Sequence, residues 1–151
     1  MFARMDASHL GFKNASFDII IALEIIEHLV DPDFFLDGLK KVLKEGGILV
    51  ISTPNRHSLE GLKGKFYEII TGKKWYAWDK THKYIFSSAE FIKKVKSRFE
   101  IIEIMGYYYL PSPSLRILGP IQYMKISRGP LSRFGFDTII ICKNPPIYGK
   151  P

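Results

Sequence analysis

The chain of 151 residues has little of several features that define other protein classes. Its single cysteine, Cys142, lies in a strand-like run, which excludes a disulfide framework and fits a reducing, cytoplasmic setting. No apolar run approaches the roughly 20 residues that a membrane-spanning helix needs. The N-terminal residues do not combine a basic start with a long apolar stretch, so they do not predict a secretory signal. What is present, 46% hydrophobic and 25% charged residues, is typical of one globular domain with a buried core.

Charge is unevenly distributed along the chain. Residues 1–55 carry 5 Lys or Arg and 8 Asp or Glu, a net charge of −3, whereas residues 56–151 carry a net charge of +10. A basic region of this size can attract an anionic substrate, a membrane surface or nucleic acid. Because its lysines are scattered among aromatic residues, a nucleic-acid-binding arm is disfavoured and a solvated lysine-rich surface is preferred.

The first third of the chain has the pattern of a β-α-β unit. Phe17–Leu23 is a nearly continuous apolar run, which predicts a central parallel strand buried on both faces. Asp31 and Pro32 predict the cap and first residue of a helix with apolar positions at helical spacing. Ile48–Ile51 predicts the next buried strand. Parallel strands end at one edge of their sheet, and this is where open sheets bind ligands.

The remainder of the chain divides into a cap, a helix and two strands. Residues 56–86 are basic and aromatic, which predicts an irregular cap inserted over the sheet edge. Its aromatic residues either shape a substrate pocket or form a small satellite core. The segment that begins at Ser87 has a capping box and predicts a helix. Glu100–Gly106 and Asp137–Lys143 predict two strands that can pair antiparallel, and residues 107–136, rich in proline and glycine, predict a long loop.

Three segments carry a resemblance to a known family. The segment 17–55 contains FDIIIALEIIEHL, DPDFFL and KEGGILVISTPN, Asp6 and Ala7 precede it, and WDKTHKYIFS occurs at residues 78–87. These residues resemble the C-terminal portion of class I S-adenosylmethionine-dependent methyltransferases of the ubiquinone-biosynthesis O-methyltransferase type. The resemblance extends over about residues 3–145 and implies an α/β fold. The expected structure is a partial Rossmann-like sheet with parallel strands, helices and a terminal antiparallel strand pair, all within one domain, residues 1–151.

The resemblance implies a function and a set of cofactor-binding residues. The implied reaction moves a methyl group from S-adenosylmethionine to a small-molecule acceptor, such as a quinone, a lipid or a glycan. Asp6 and Ala7 are expected to contact the adenine, since a carboxylate can accept a hydrogen bond from its exocyclic amine. Ala22, Leu23 and Glu24 are expected to border the cofactor. Without the resemblance, Asp6 reads as an ordinary surface acid of a loop.

The most specific group of candidate catalytic or metal-binding residues is Glu24-x-x-Glu27-His28. By resemblance, these two carboxylates and the imidazole form a divalent metal site, which would polarise an acceptor oxygen and lower its pKa. Alternatively, His28 acts directly as a general base, with Glu27 and His82 as further catalytic residues. A third reading is structural, in which Glu27 and His28 cap the following helix and line the cofactor.

One expected motif is not found in the chain. The family binds methionine and ribose with a glycine-rich loop after its first strand, and no Gly-x-Gly-x-Gly run follows a strand here. The resemblance implies that three strands lie outside this sequence, which leaves a sheet edge that a partner chain or a homodimer would cover. The alternative function is therefore a non-catalytic, truncated remnant, or a subunit of a split methyltransferase that binds cofactor only with its partner. A weaker reading is an anion-binding or nucleic-acid-binding module.

Overall fold

The computed structural model of the chain describes residues 4–75, 79–109, 123–126 and 134–146. Its elements, in chain order, are β1 (Phe17–Ala22), a 3-10 turn (Ile26–His28), α1 (Pro32–Val42), β2 (Leu43–Pro54), α2 (Leu59–Thr71), α3 (Ser88–Lys96), β3 (Glu100–Tyr109), β4 (Tyr123–Ile126) and β5 (Asp137–Lys143).

The five strands form one mixed sheet in the order β1-β2-β5-β3-β4. β1 runs parallel to β2, while β5 lies antiparallel between β2 and β3. The predicted parallel pair and the predicted antiparallel pair are therefore both confirmed. The predicted loop 107–136 is wrong where β3 continues to Tyr109 and where β4 pairs with it. The remaining residues of that segment lie outside the described part of the chain, except for those just before β5.

β1 lies at an edge of the sheet. Ile19 and Ile21 are 61% and 65% exposed, and Leu23, just beyond the strand, is 48% exposed. The prediction that this run is buried on both faces is wrong for the described residues, because none of them covers the outer side of these side chains. An apolar strand that exposes every second residue matches a sheet whose covering layer is not among the described residues.

The N-terminal end of α1 has the predicted cap. One carboxylate oxygen of Asp31 accepts hydrogen bonds from the backbone N–H groups of Asp33 and Phe34, at 3.0 and 2.9 Å, and Pro32 is the first helical residue. The inward face of the helix joins the hydrophobic core. The largest fully buried apolar side chains of this core are Phe91, Ile26, Leu36, Leu43, Leu49, Ile51 and Ile140. Capping thus sets the start of α1 directly after the loop that carries the candidate site.

Removal of this cap gives a local test of the fold. We expect Asp31→Ala to lower the free energy of unfolding by about 1 kcal/mol, since two backbone N–H groups of the first turn lose their acceptor. Urea denaturation measures the effect. The exchange Asp18→Ala is the control, because Asp18 only forms an exposed ion pair with Lys44 and should cost less than about 1 kcal/mol.

The end of β2 is fixed to the start of β5 and of α3 by one buried amide. The side chain of Asn55 donates to the Gly135 carbonyl at 2.9 Å and accepts from the N–H of Ser88 at 3.2 Å. Its backbone N–H donates to the Phe136 carbonyl at 2.8 Å. α3 begins with the predicted capping box between Ser87 and Glu90, which is confirmed. These contacts hold three chain segments together at the edge where β1 and β2 end.

The cap, residues 56–86, contains a helix that the sequence analysis did not predict. α2 begins after Ser58, whose side chain accepts from the N–H of Gly61 at 3.1 Å, and it ends at Gly72, which has left-handed backbone. The prediction of an irregular segment is wrong because glycines, rather than large apolar residues, occupy the inner face of this helix. Large apolar residues at helical spacing usually indicate the buried face of a helix, but in α2 they lie on the exposed face.

Two further observations bear on the sequence analysis. Cys142 is fully buried in β5, and burial raises the pKa of its thiol to about 12, so it packs as a small apolar residue as predicted.

Among the residues that the structure describes, no helix is both long enough and apolar enough to cross a membrane.

Candidate active site

The site begins with a strained residue at the end of β1. Glu24 has left-handed backbone, with φ of +53°, which is uncommon for a residue with a side chain. Its N–H donates to Ser52 Oγ at 3.1 Å, and the Ser52 hydroxyl donates to Glu24 Oε1 at 2.5 Å. These hydrogen bonds connect the turn after β1 to β2, at the edge of the sheet where both parallel strands end.

A buried carboxyl lies next to this turn. Glu27 is fully buried, and its Oε2 accepts a long hydrogen bond from Thr53 Oγ1 at 3.4 Å. Its Oε1 has no hydrogen-bond partner among the described residues. Burial above all, together with the negative charges of Glu24 and Asp137, raises the pKa of Glu27 to about 7. The group therefore changes protonation near neutral pH.

Asp137 is a site residue that the sequence analysis missed. It is the first residue of β5 and lies opposite Pro54 in the sheet register. Burial and the charge of Glu24 raise the pKa of Asp137 to about 7, and its buried Oδ1 has no partner among the described residues. The sequence feature that could have identified Asp137 is an acidic residue at the start of an otherwise apolar strand.

A hydrogen-bonded chain fixes the tautomer of His28. Thr81 Oγ1 lies 2.8 Å from His28 Nδ1 and 2.7 Å from Asp79 Oδ1. The threonine has one hydroxyl proton, and an ionised Asp79 can only accept it, so the network assigns the imidazole proton to Nδ1 of His28. Neutral His28 then has an unprotonated Nε2, which lies 3.9 Å from Glu27 Oε1.

The segment that contains Asp79 and Thr81 is fastened over the 3-10 turn. The Glu27 carbonyl accepts hydrogen bonds from the backbone N–H groups of Lys83 and Tyr84, at 2.9 and 3.1 Å. This brings His82 to His28, with ring centroids 4.7 Å apart, although 54 positions separate the two residues in sequence. The Nδ1 atom of His82 is buried and has no partner among the described residues.

The geometry changes the expected metal-ligand set. Glu27, His28 and His82 each offer one ligand atom, and the three atoms lie within 4.8 Å of one another. The carboxylate of Glu24 instead accepts from Ser52 and does not belong to this group. Two imidazoles and one carboxylate suit a transition-metal ion, so the donor chemistry fits a metal.

The remaining predicted cofactor residues are placed as follows. Asp6 accepts from the N–H of Ser8 at 2.8 Å within an exposed turn, and this hydrogen bond lowers the pKa of its carboxyl. Ala7 packs against the core, Ala22 is buried in it and Leu23 is exposed beyond β1. Their proposed contacts with a cofactor stay predictions.

A cleft of about 480 Å³ adjoins His82. One wall is His82 itself, and aromatic and basic side chains form much of the rest: Arg56, Lys74, Trp75, Lys83, Tyr84, Phe86 and Lys94. A second cleft of about 460 Å³ shares Arg56 and Trp75 with the first and reaches α2. Both clefts lie at the cap, for which the sequence analysis left a substrate pocket and a satellite core open, and a substrate role for them stays a prediction.

Comparison with known proteins gives the family. The sequence profile of the methyltransferase domain family matches residues 1–51. The ubiquinone biosynthesis O-methyltransferase of Glaesserella parasuis is 33% identical over 110 residues, which cover 68% of this chain and 44% of the relative. A solved S-adenosylmethionine-dependent methyltransferase of Thermotoga maritima superposes with a TM-score of 0.68 at 21% identity, over 91% of this chain and 61% of that one. The chain forms part of the class I methyltransferase fold.

The chain spans less than half the length of the Glaesserella relative. Another similar structure is a Haloferax volcanii methyltransferase in complex with an activator protein. It has a TM-score of 0.62 and 15% identity, over 94% of this chain and 60% of that one. These likenesses confirm the predicted Rossmann-like α/β fold. They also agree with the exposed side chains of β1, since the similar proteins have further chain that this sequence does not contain.

Proposed function

We propose that this chain provides the acceptor-binding side of an S-adenosylmethionine-dependent methyltransferase, with His28 as the general base. The observation that carries the proposal is the hydrogen-bonded chain from Asp79 through Thr81 to His28 Nδ1. It leaves Nε2 as a proton acceptor, next to a buried carboxyl with an unpartnered oxygen. A base with this arrangement is suited to a hydroxyl or amine acceptor that must lose a proton on methylation.

The residues present fit one side of the cofactor. The strained turn at Glu24 and the exposed Leu23 lie where β1 ends, the edge at which open α/β sheets bind nucleotides. By resemblance Asp6 and Ala7 would hold the adenine, while Ala22, Leu23 and Glu24 would border the rest. S-adenosylmethionine, when bound, supplies a methyl group on a positively charged sulfur.

The proton of the acceptor has a defined route. It moves to Nε2 of His28, and the imidazolium that forms keeps its Nδ1 proton directed to Thr81. Asp79 stabilises this positive charge through the threonine, and Glu27, 3.9 Å away, does so directly once it is ionised. His82 lies against the His28 ring and positions it. In this role His28 is the catalytic residue, and the others support it.

The cleft beside His82 indicates the kind of acceptor. Trp75, Tyr84 and Phe86 offer flat apolar surfaces, and Arg56 and Lys83 add positive charge at the same cleft. We infer a small molecule with a planar or apolar part, of which a quinone or a lipid is an example. A glycan fits the same volume but uses the aromatic surfaces less.

A second function has its own support. The exposed Ile19 and Ile21 on β1 favour a subunit that binds cofactor only with a partner chain. In that arrangement the partner covers the edge of the sheet and completes the cofactor site. The isolated chain would then be inactive although its acceptor side is intact.

A metal is a variant of the first function. Glu27, His28 and His82 would hold a divalent ion, without Glu24, whose carboxylate accepts from Ser52 instead. The ion would lower the pKa of an acceptor hydroxyl and replace the imidazole as the activating group. Dependence of turnover on added metal, abolished by His82→Ala, would support this variant over the general base.

Calorimetry with S-adenosylmethionine and its demethylated product, at two concentrations of the chain, tests the proposal. Micromolar binding is expected if the chain builds a cofactor site by itself or by self-association, and a stronger signal at the higher concentration indicates the latter. Absence of binding at both concentrations favours the subunit that needs a partner.

A further inference from the structure

A short segment that we call the strap, residues 79–84, lies over the turn that carries His28. The strap holds the imidazole in the tautomer described above, because Thr81 Oγ1 lies 2.8 Å from Nδ1 of His28. Thr81 is exposed, so water competes for its hydroxyl and for the imidazole nitrogen. The tautomer of His28 therefore depends on the contacts that keep the strap, and Thr81 with it, in place.

Tyr84, the last residue of the strap, connects it to both ends of the turn. Its hydroxyl donates to the Val30 carbonyl at 2.9 Å, directly before the cap of α1. Its backbone N–H donates to the Glu27 carbonyl at 3.1 Å. Because these two carbonyls lie on either side of His28 in sequence, Tyr84 spans the turn that carries the proposed base.

The ring of Tyr84 belongs to the cleft beside His82. It lines that cleft and lies against the ring of Phe86, with ring centroids 5.8 Å apart and an angle of 21° between the ring planes. Phe86 is buried in the hydrophobic core and gives the tyrosine ring a fixed surface to pack on. The ring of Tyr84 thus has a place in the cleft, while its hydroxyl has a separate contact with the turn.

One buried atom opposes the closed position of the strap. Nδ1 of His82 is buried there and has no hydrogen-bond partner among the described residues. A buried polar atom without a partner is less stable than the same atom in water. Opening of the strap would let water reach this atom, so the hydrogen bonds of Tyr84 act against a tendency of the strap to open.

We propose that Tyr84 is a positioning residue for His28 and acts on it through the strap and Thr81. The hydroxyl of Tyr84 holds the strap against Val30, which keeps the Thr81 hydroxyl on Nδ1 of His28 and leaves Nε2 unprotonated. The consequence for methyl transfer rests on the proposed function. The effect on the imidazole is instead a property of the chain that can be measured without cofactor.

The substitution Tyr84→Phe tests this in the full chain, since it keeps the ring in the cleft and removes one hydrogen bond. Nitrogen-15 NMR at alkaline pH reports the tautomer of neutral His28, whose signals are assigned by their loss in His28→Ala. We expect the Nδ1–H form in the unaltered chain. Its fraction should fall about twofold or more in Tyr84→Phe, because a closed strap opposed by a buried unpartnered atom is only slightly favoured.

Hydrogen exchange of the backbone amides at positions 83 and 84 gives a second measure. Both amides donate to the Glu27 carbonyl in the closed strap. Their exchange should become about three- to tenfold faster in Tyr84→Phe, the effect of one hydrogen bond on local opening. Exchange of the β2 amides should stay the same, because β2 lies outside the strap.

Tyr67→Phe is the matched control, because Tyr67 is a tyrosine of α2 that is 45% exposed and lines neither cleft. It should leave the tautomer of His28 and the exchange at positions 83 and 84 unchanged. An unchanged tautomer in Tyr84→Phe, or the Nε2–H form in the unaltered chain, overturns the proposal. Equal acceleration of exchange in β2 and in the strap also overturns it, since the tyrosine hydroxyl would then stabilise the whole fold.

Turnover distinguishes this proposal from the proposed function. In the assembly that binds cofactor, Tyr84→Phe should lower kcat by the same factor as the Nδ1–H fraction, with the acceptor KM unchanged because the aromatic wall is kept. A change in KM alone would assign Tyr84 to acceptor binding and overturn the positioning role. If His28→Ala keeps full turnover while Tyr84→Phe still shifts the tautomer, the proposed base is wrong and the positioning of its ring stands.

Discussion

Replacement of His28 by alanine is expected to lower methyl-transfer turnover about 100- to 10,000-fold, the range contributed by a positioned general base. The variant has no proton acceptor where the hydrogen-bonded chain from Asp79 and Thr81 now directs Nε2. Affinity for S-adenosylmethionine should change little, because the proposed cofactor contacts come from the end of β1 and from the Asp6 turn. The measurement is turnover and cofactor binding on the same preparation, in the assembly that binds cofactor.

Two further variants distinguish the loss of the proton acceptor from a general effect of removing a side chain. His9→Ala is the control for loss of an imidazole, since His9 is exposed and contacts Asp6 and Phe34 rather than the proposed base. Because Asp6 is a proposed cofactor contact, turnover of this control is compared at saturating cofactor. Thr81→Val removes the hydroxyl that orients His28 and should give a smaller loss, with a changed pH dependence of turnover. Turnover of His28→Ala equal to that of the unaltered enzyme would remove the catalytic role from this histidine.

Replacement of Glu27 by glutamine is expected to stabilise the chain at high pH by about 3 kcal/mol. Burial raises the pKa of this carboxyl from 4.5 to about 7. Between those values the folded chain keeps a proton that the unfolded chain has already lost. The free energy of unfolding therefore falls as the pH rises through this window, and it levels off above a pH of about 7. Glutamine carries no titratable proton, so its contribution to the slope disappears.

Urea denaturation at a series of pH values measures this effect. Asp137→Asn should also reduce the slope, because burial raises the pKa of Asp137 from 3.8 to about 7. Glu100→Gln is the control for the same chemical exchange at an exposed glutamate. If Glu27→Gln leaves the slope between about pH 5 and pH 8 unchanged, the carboxyl is not held in its neutral form by burial.

The site could be predicted from sequence only in part. Glu27 and His28 stand together within one turn, so a single short pattern identifies both. His82 was singled out by resemblance, and the structure places its ring against His28. Asp137 was not predicted as a site residue, because a single acid at the start of a distant strand does not indicate that β5 pairs with β2. The hydrogen-bonded pair Asp79 and Thr81 had a local signal, an aspartate two residues before a threonine, which favours a turn.

The candidate metal ligands were also predicted only in part. The family resemblance grouped Glu24 with Glu27 and His28 as metal ligands, whereas the structure groups His82 with the latter two. The reason is backbone conformation, since the left-handed turn at Glu24 directs its carboxylate to Ser52 on the neighbouring strand.

The sequence by itself determined the features that depend on neighbours along the chain. The cap at Asp31, the capping box at Ser87 and the β-α-β order follow from local hydrogen bonds and apolar periodicity. The tertiary structure alone decided the exposure of Ile19 and Ile21, because burial depends on whether another layer packs on that strand. It also decided the outward apolar face of α2, since the close packing of its glycines determines which side of the helix meets the protein.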